Sequence, residues 1–311
     1  MPKPTVNYFN TTMTDIKDAL TLIDPANGHF LFRWFTFDDN SHFNHLLRNN
    51  YYSVIWLKQG AGKLRADFSE YDFAANDLLA FTPYQPFMLT ESQPVSGVCI
   101  EFHPDFFCIH KHDKEVSCSG VLFNNIYHPP FVKIDANTAI TLDILLGQIK
   151  AEMQNEAMAQ YEILISYLKI FLITASRLKA QQQELESQDT DTKNFILQNL
   201  KDAIEVNFKT KHSASDYANM LNISAKALAR ITKTHFNKTV SNLIAERIVI
   251  EAKRELYLTN RTIKEIAYRL GYEDEYYFSR FFKTNADVSP QMYRDTVGFA
   301  KAVVNGEIMV V

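Results

Sequence analysis

The spacing of apolar and polar positions changes once along the chain, near residue 135. Before that point apolar residues come in short runs. Residues 51–58 (YYSVIWLK) read as a strand, Gly60-Ala61-Gly62 as a turn, and residues 63–68 (KLRADF) alternate with the two-residue period of a half-buried strand. Residues 78–82 and 98–102 read as further strands, with Pro83, Pro86 and Pro94 as punctuation. Short strands at this spacing predict a small sandwich or barrel. Residues 1–135 also hold 23 of the 40 aromatic residues, including both Trp, so such a domain has bulky side chains to fill it.

Beyond about Asp135 the period is helical. Tyr161, Leu164, Leu168, Phe171, Ala175 and Leu178 step by 3 and 4 residues, a heptad seam. The stretch from Thr138 to Met153 is helical as well and apolar on one face, so a helical hairpin is expected. Two uses of the seam stay open. It packs on the chain's own strands, or it pairs with the same six residues of a second copy as a dimerisation surface. Residues 180–193 (AQQQELESQDTDTK) are polar and read as a linker. The expected division is 1–135 strand domain, 136–180 hairpin, 181–193 linker, 194–301 helical module and 302–311 an apolar tail with no assigned role.

The helical module repeats itself. Residues 213–218 (SASDYA) recur as 262–267 (TIKEIA), an offset of 49 that becomes 50 after one added residue. Arg230 then matches Arg280, Lys233 matches Lys283, Asn237 matches Asp287 and Thr239 matches Ser289. Each unit reads as a short helix, a turn and a second helix, which is helix-turn-helix anatomy. Ser213 with Asp216, and Thr262 with Glu265, have capping-box spacing at the first helix. Ser224 and Asp274 are placed to cap the second. Asn237 and Asp287 are residue types that tolerate the left-handed conformation of a helix stop. Residues 240–258 form one long helix between the units, which would hold them at a fixed separation.

Charge supports this division. The whole 311-residue chain has a net charge of −4, which at first argues against a polyanionic partner. Residues 193–301 hold 18 Lys and Arg against 12 Asp and Glu, a net of +6; the rest of the chain carries 14 against 24, a net of −10. The repeated module is therefore the basic part, as phosphate contact requires.

Residues 262–272 (TIKEIAYRLGY), 277–283 (YFSRFFK) and 289–294 (SPQMYR) closely resemble the signature of the AraC/XylS transcription regulators. The resemblance covers about residues 195–300. It implies an α+β chain: an N-terminal cupin-like β-barrel sensor with a helical hairpin, then an all-α domain of two helix-turn-helix units joined by a long helix. It also implies binding to promoter-proximal double-stranded DNA, commonly as a homodimer, with RNA polymerase as a further partner. By motif position the DNA-contacting candidates are Lys226, Ala229, Arg230, Lys233 and Thr239 in the first unit. In the second they are Glu275, Tyr276, Arg280, Lys283 and Ser289. Thr232 stands where the family usually has an aromatic, which Phe282 keeps in the second unit, so the first unit is expected to pack less tightly.

A catalytic barrel is disfavoured. Enzymatic cupins hold a metal with closely spaced histidines and a carboxylate. Here His42 and His45 lack that pattern, and Pro86-Phe87 stand where the later histidine falls. A cupin enzyme with a helical tail is the rival from another class. No cofactor, catalytic residue or metal is expected. Cys108, His110, His112 and Cys118 form a metal-like spacing, with a surface loop as the favoured alternative. For a small-molecule effector in the barrel, Trp34, Arg48, Tyr52, Trp56 and Tyr84 are the pocket candidates, with Arg33 and Phe81 beside them. A ligand-independent regulator, whose barrel only dimerises or binds a protein, is the other reading. Three cysteines (Cys99, Cys108, Cys118), no signal pattern in residues 1–10 and an apolar run over 163–175 too short to span a bilayer point to a cytoplasmic protein with no membrane partner.

Overall fold

The computed structural model describes residues 19–24, 28–67, 69–109, 119–123, 125–155, 157–187 and 192–297, with the backbone of 303–304 and 307–308. The chain is α+β, as expected. Seven strands form one antiparallel sheet: β1 (Leu20–Ile23), β2 (Phe30–Phe37), β3 (Tyr52–Ala66), β4 (Ser69–Ala74), β5 (Asp77–Phe81), β6 (Phe87–Phe102) and β7 (Phe131–Lys133). Their order is β1-β2-β6-β3-β5-β7, with β4 on β3. β1 and β7 end this path, so the sheet is not a hydrogen-bonded closed barrel.

The expected short strands fuse. Gly60-Ala61-Gly62 is not a turn: β3 runs through it, and its register against β6 shifts between Leu57 and Gln59, between Gln59 and Ala61 and between Ala61 and Gly62. A Cβ at Gly62 would lie 2.2 Å from the Thr90 carbonyl oxygen, so glycine lets the two backbones close at this irregularity. Pro94 sits in β6 opposite the same irregular stretch. The two halves of β3 then share one core: Ile55 and Leu57 cluster with Leu64, Ala66, Phe73, Phe81 and Leu89 inside the curled sheet.

The other face of the sheet carries Phe32, Trp34, Tyr52, Val54, Trp56, Ile100 and Phe102. It is covered by α1 (Ser119–Phe123), α2 (Ala136–Gln154) and α3 (Gln160–Ser187). Asp135 caps α2 by accepting from the Asn137 and Thr138 amides. The heptad seam lies here. Leu164, Leu168, Phe171 and Ala175 are buried against the sheet, with Tyr161 and Leu178 at its margin. Burial of this stripe under its own sheet leaves it unable to serve as an interchain surface. Helix α3 also continues through 181–187, because QQQELES consists mostly of good helix formers. The expected linker therefore contracts.

The remaining helices are α4 (Thr192–Asn207), α5 (Ala214–Met220), α6 (Ala225–Phe236), α7 (Val240–Leu258), α8 (Ile263–Arg269), α9 (Glu275–Ala286) and α10 (Pro290–Val297). They share a core built on Leu200, Tyr217, Leu228, Leu243, Ile266, Phe278 and Phe282. Cys108 and Ile126, from the strand domain's connections, enter that same core. In the tail, Val303–Val304 pairs with Glu307–Ile308.

Candidate nucleic-acid interface

Each repeat folds by the same local chemistry. Ser213 and Thr262 accept from the amides of Asp216 and Glu265, whose carboxylates return to the cap backbone, so both capping boxes form. Ile223 N donates to Ala218 O and Tyr272 N to Ala267 O, closing α5 and α8 in the same way. The residue that turns left-handed is Asn222 in the first unit and Gly271 in the second. At Gly271 a Cβ would lie 2.0 Å from Lys209 O, which only glycine avoids. Ala218 and Ala267 are buried where the two helices of each unit cross.

The second helices, α6 and α9, are the recognition helices of this anatomy. Ser224 caps α6 through the Ala227 amide, and Asp274 caps α9 through the Tyr276 amide. Each helix buries one face, Leu228, Thr232 and Phe236 in α6 and Phe278, Phe282 and Ala286 in α9. The opposite faces are exposed. Lys226, Ala229, Arg230 and Lys233 lie outward on α6, and Tyr276, Arg280 and Lys283 on α9, with Glu275 half-buried. Tyr276 is 79% exposed. Thr239 and Ser289 accept from the Asn242 and Met292 amides, so they cap α7 and α10. The buried Thr232 hydroxyl donates to Ala229 O, satisfying the polar group that replaces an aromatic.

Both recognition helices end in a left-handed residue, Asn237 at φ 54° and Asp287 at φ 61°. The strand domain holds both. Asn237 Nδ2 donates to Glu70 O at 3.0 Å, and Ser69 Oγ donates to Asn237 O at 3.3 Å. Arg48 pairs with Asp287 at 2.6 Å. Next to Asn237, Lys238 donates to the carbonyls of Asn125 and Ile126 and pairs with Glu246 at 2.8 Å. Burial by itself would lower Lys238; Glu246 outweighs it and the ammonium is held above its ordinary range. Lys253 of α7 donates to Pro83 O at 2.8 Å, and burial lowers it to about 8 against the opposing charge of Asp67.

Among the effector-pocket candidates, Trp34, Tyr52 and Trp56 lie in the core beneath the hairpin, with Tyr52 stacked on Phe102. Arg48 and Tyr84 instead meet the helical module: Tyr84 shares a 2.6 Å hydrogen bond with Thr296. Arg33 pairs with Glu101 at 2.7 Å, and Phe81 stacks on Phe87. These residues do not converge on one cavity. His42 lies against Phe35 and Phe43, while His45 contacts Asn44. His110, His112 and Cys118 lie outside the described residues.

One functional candidate is not evident from the sequence pattern. Lys179, on the buried side of α3, is 2% exposed and donates to Asn125 Oδ1 at 2.6 Å and Pro129 O at 3.0 Å. Burial, then the charge of Lys238, lowers it to about 7. Its position four residues after Ala175 on the apolar stripe is the one available signal. A lysine whose folded pKa lies below its unfolded one is protonated in the unfolded state while neutral in the folded state. Between pH 7 and 10.5 stability therefore rises with pH. From pH 6.5 to 8.5, urea unfolding of the native chain should gain roughly 2 kcal/mol relative to Lys179→Met.

A family model described as a helix-turn-helix domain matches residues 217–296. The chain is 32% identical over 95 residues to the raffinose operon transcriptional regulatory protein RafR of Pediococcus pentosaceus, covering 30% of this chain and 34% of that protein. It is 36% identical over 94 residues to the HTH-type transcriptional activator Btr of Bacillus subtilis (strain 168), covering 30% of this chain and 18% of that one. The chain thus spans about a third of the first relative and under a fifth of the second. Among solved structures, ToxT from Vibrio cholerae aligns at a TM-score of 0.38 and 17% identity, over 86% of this chain and 98% of that chain. No helix among the described residues is long and apolar enough to cross a membrane.

Proposed function

Because the C-terminal module of this chain is an AraC-type helix-turn-helix domain, we propose that the whole protein is a cytoplasmic, sequence-specific transcription regulator rather than an enzyme. The observation that carries this reading is the twice-built unit. Two recognition helices are capped and stopped alike, and each turns an arginine and a lysine outward. Arg230 and Arg280 read guanine edges, Glu275 accepts from a cytosine amino group, and Lys226, Lys233 and Lys283 neutralise phosphates. Ala229 supplies only apolar contact. Thr239 and Ser289 sit at the positive ends of α7 and α10, where a phosphate is favoured. With α7 as spacer, the two helices enter successive major-groove segments.

The strand domain is the controlling part: it grips both recognition-helix stops, so a small molecule that reshapes it alters how the two units are held. Dimerisation uses the outward face of the hairpin instead of the buried seam. Ile140 (63% exposed) and Ile144 (57%), one turn apart on α2, and Ile170 (48%) on α3 are large apolar side chains left exposed on the hairpin among the described residues. RNA polymerase is the further partner of such a promoter-bound regulator.

Chromosomal footprinting tests the reading. Protected segments should lie near promoters and show paired major-groove contacts one duplex turn apart, doubled where two copies bind. Absence of any protected segment would contradict it.

A further inference from the structure

A cleft of about 340 Å³ opens between β4, β5, β7 and the C-terminal half of α3, lined by Phe73, Asp77, His128, Phe131, Lys179 and Gln183 among others. Its size is at the low end of small-molecule sites, roughly 300–1,000 Å³. Its chemistry is uneven. Lys179 is buried on one side and pairs with no carboxylate among the described residues. An ammonium has three donors, and its two hydrogen bonds to Asn125 Oδ1 and Pro129 O leave one for a ligand. Without a counter-ion, burial takes the proton off this lysine near neutral pH, and a bound anion would hold the proton on it. The rest of the lining carries charges of both signs: Asp72 and Lys133 stand on the cleft with Asp77, and Lys133 Nζ lies 3.9 Å from Asp77 Oδ1. Across the cleft stands Asp77, whose Oδ2 accepts from the Ala74 amide. It offers hydroxyl groups an acceptor, and Gln183 carries an amide. Phe73 and Phe131 give an apolar wall.

The same lysine is wired to the nucleic-acid module. Asn125 Oδ1 accepts the hydrogen bond from Lys179 Nζ, and its Nδ2 donates to Ala80 O of β5 at 3.3 Å. Its own carbonyl receives Lys238, the residue after the stop of the first recognition helix. A charge placed on Lys179 therefore acts on a side chain whose backbone anchors that helix.

We propose that this cleft is an effector site for a small hydroxylated carboxylate, an aldonate or uronate, with its carboxylate on Lys179 and its hydroxyls on Asp77 and Gln183. Occupancy is read through Asn125 by Lys238. The proposal rests on the regulator reading for its consequence, but ligand binding is measurable without DNA, so the two fail separately.

The test is calorimetric titration of the full chain with D-gluconate and D-glucuronate, beside D-glucose and acetate. At least one hydroxylated carboxylate binds, D-glucose does not, and acetate binds more weakly. Lys179→Met lowers affinity by at least about 10-fold, as loss of a buried charge partner does. Gln183→Asp, which places an internal carboxylate in the cleft, does the same and decides the matter where Lys179→Met fails to fold. Lys238→Met, which leaves Lys179 with both of its hydrogen bonds, retains ligand binding while the ligand's effect on operator affinity disappears. The proposal is overturned if neither sugar acid binds, if D-glucose binds equally, or if a folded Lys179→Met or Gln183→Asp chain binds as the native one does.

Discussion

Replacing Arg230 and Arg280 together with alanine removes sequence-specific DNA binding and leaves the fold intact. Both side chains are exposed on the outward faces of α6 and α9, and neither forms an ion pair among the described residues. Their removal therefore costs the folded state little, within about 0.5 kcal/mol for an ordinary surface site. A bidentate arginine–guanine pair is worth about 1–3 kcal/mol of discrimination. Without either pair, affinity for the cognate site falls roughly 100-fold or more at fixed salt. Binding to unrelated duplex persists through the lysines. Lys283→Ala should behave differently, weakening all sequences alike and reducing the salt slope by about 1. Electrophoretic mobility shifts over a salt series, with thermal unfolding as the control, separate these outcomes.

Leu168→Ala destabilises the N-terminal part by about 2–5 kcal/mol. Leu168 is fully buried between α3 and the sheet, among Leu164, Phe171, Trp34 and Trp56, so truncation leaves a cavity that rigid strands cannot fill. Were the seam an interchain surface, the same change would dissociate dimers with little effect on the folding of one chain. Ile144→Asp reverses the pattern. At 57% exposure it leaves the unfolding midpoint nearly unchanged, while light scattering should show the proposed dimer become a monomer. Urea unfolding and scattering on the two variants thus locate the interface.

How far the residues alone can be read differs between the two halves of the chain, for a physical reason. In the helical module the caps and stops are set locally. A capping box needs side chains three residues apart, and a left-handed stop needs one asparagine or aspartate. Both capping boxes, the caps at Ser224 and Asp274 and the stops at Asn237 and Asp287 are visible for that reason. In the strand domain the determinants are remote. Gly60 and Gly62 look like a turn until Pro94, Val95 and Thr90 of β6 are seen against them. Trp34, Tyr52 and Trp56 alternate correctly, but which face of the sheet lines a cavity depends on where α2 and α3 pack. The seam is visible and its partner is not, since a stripe of leucines fits a sheet or a second helix equally well. Arg48 and Tyr84 look like pocket residues in a sequence, yet their partners, Asp287 and Thr296, lie over two hundred positions away. Lys179 stands on the stripe as an apparent exception, and only the fold shows that it meets Asn125.

The most direct test of the two-helix account is selection of bound duplexes from a random pool by the native chain and by the single variants Arg230→Ala and Arg280→Ala. The account predicts two sequence blocks one duplex turn apart, with each variant relaxing the preference in one block and sparing the other. A single enriched block, or two variants that relax the same block, would contradict it.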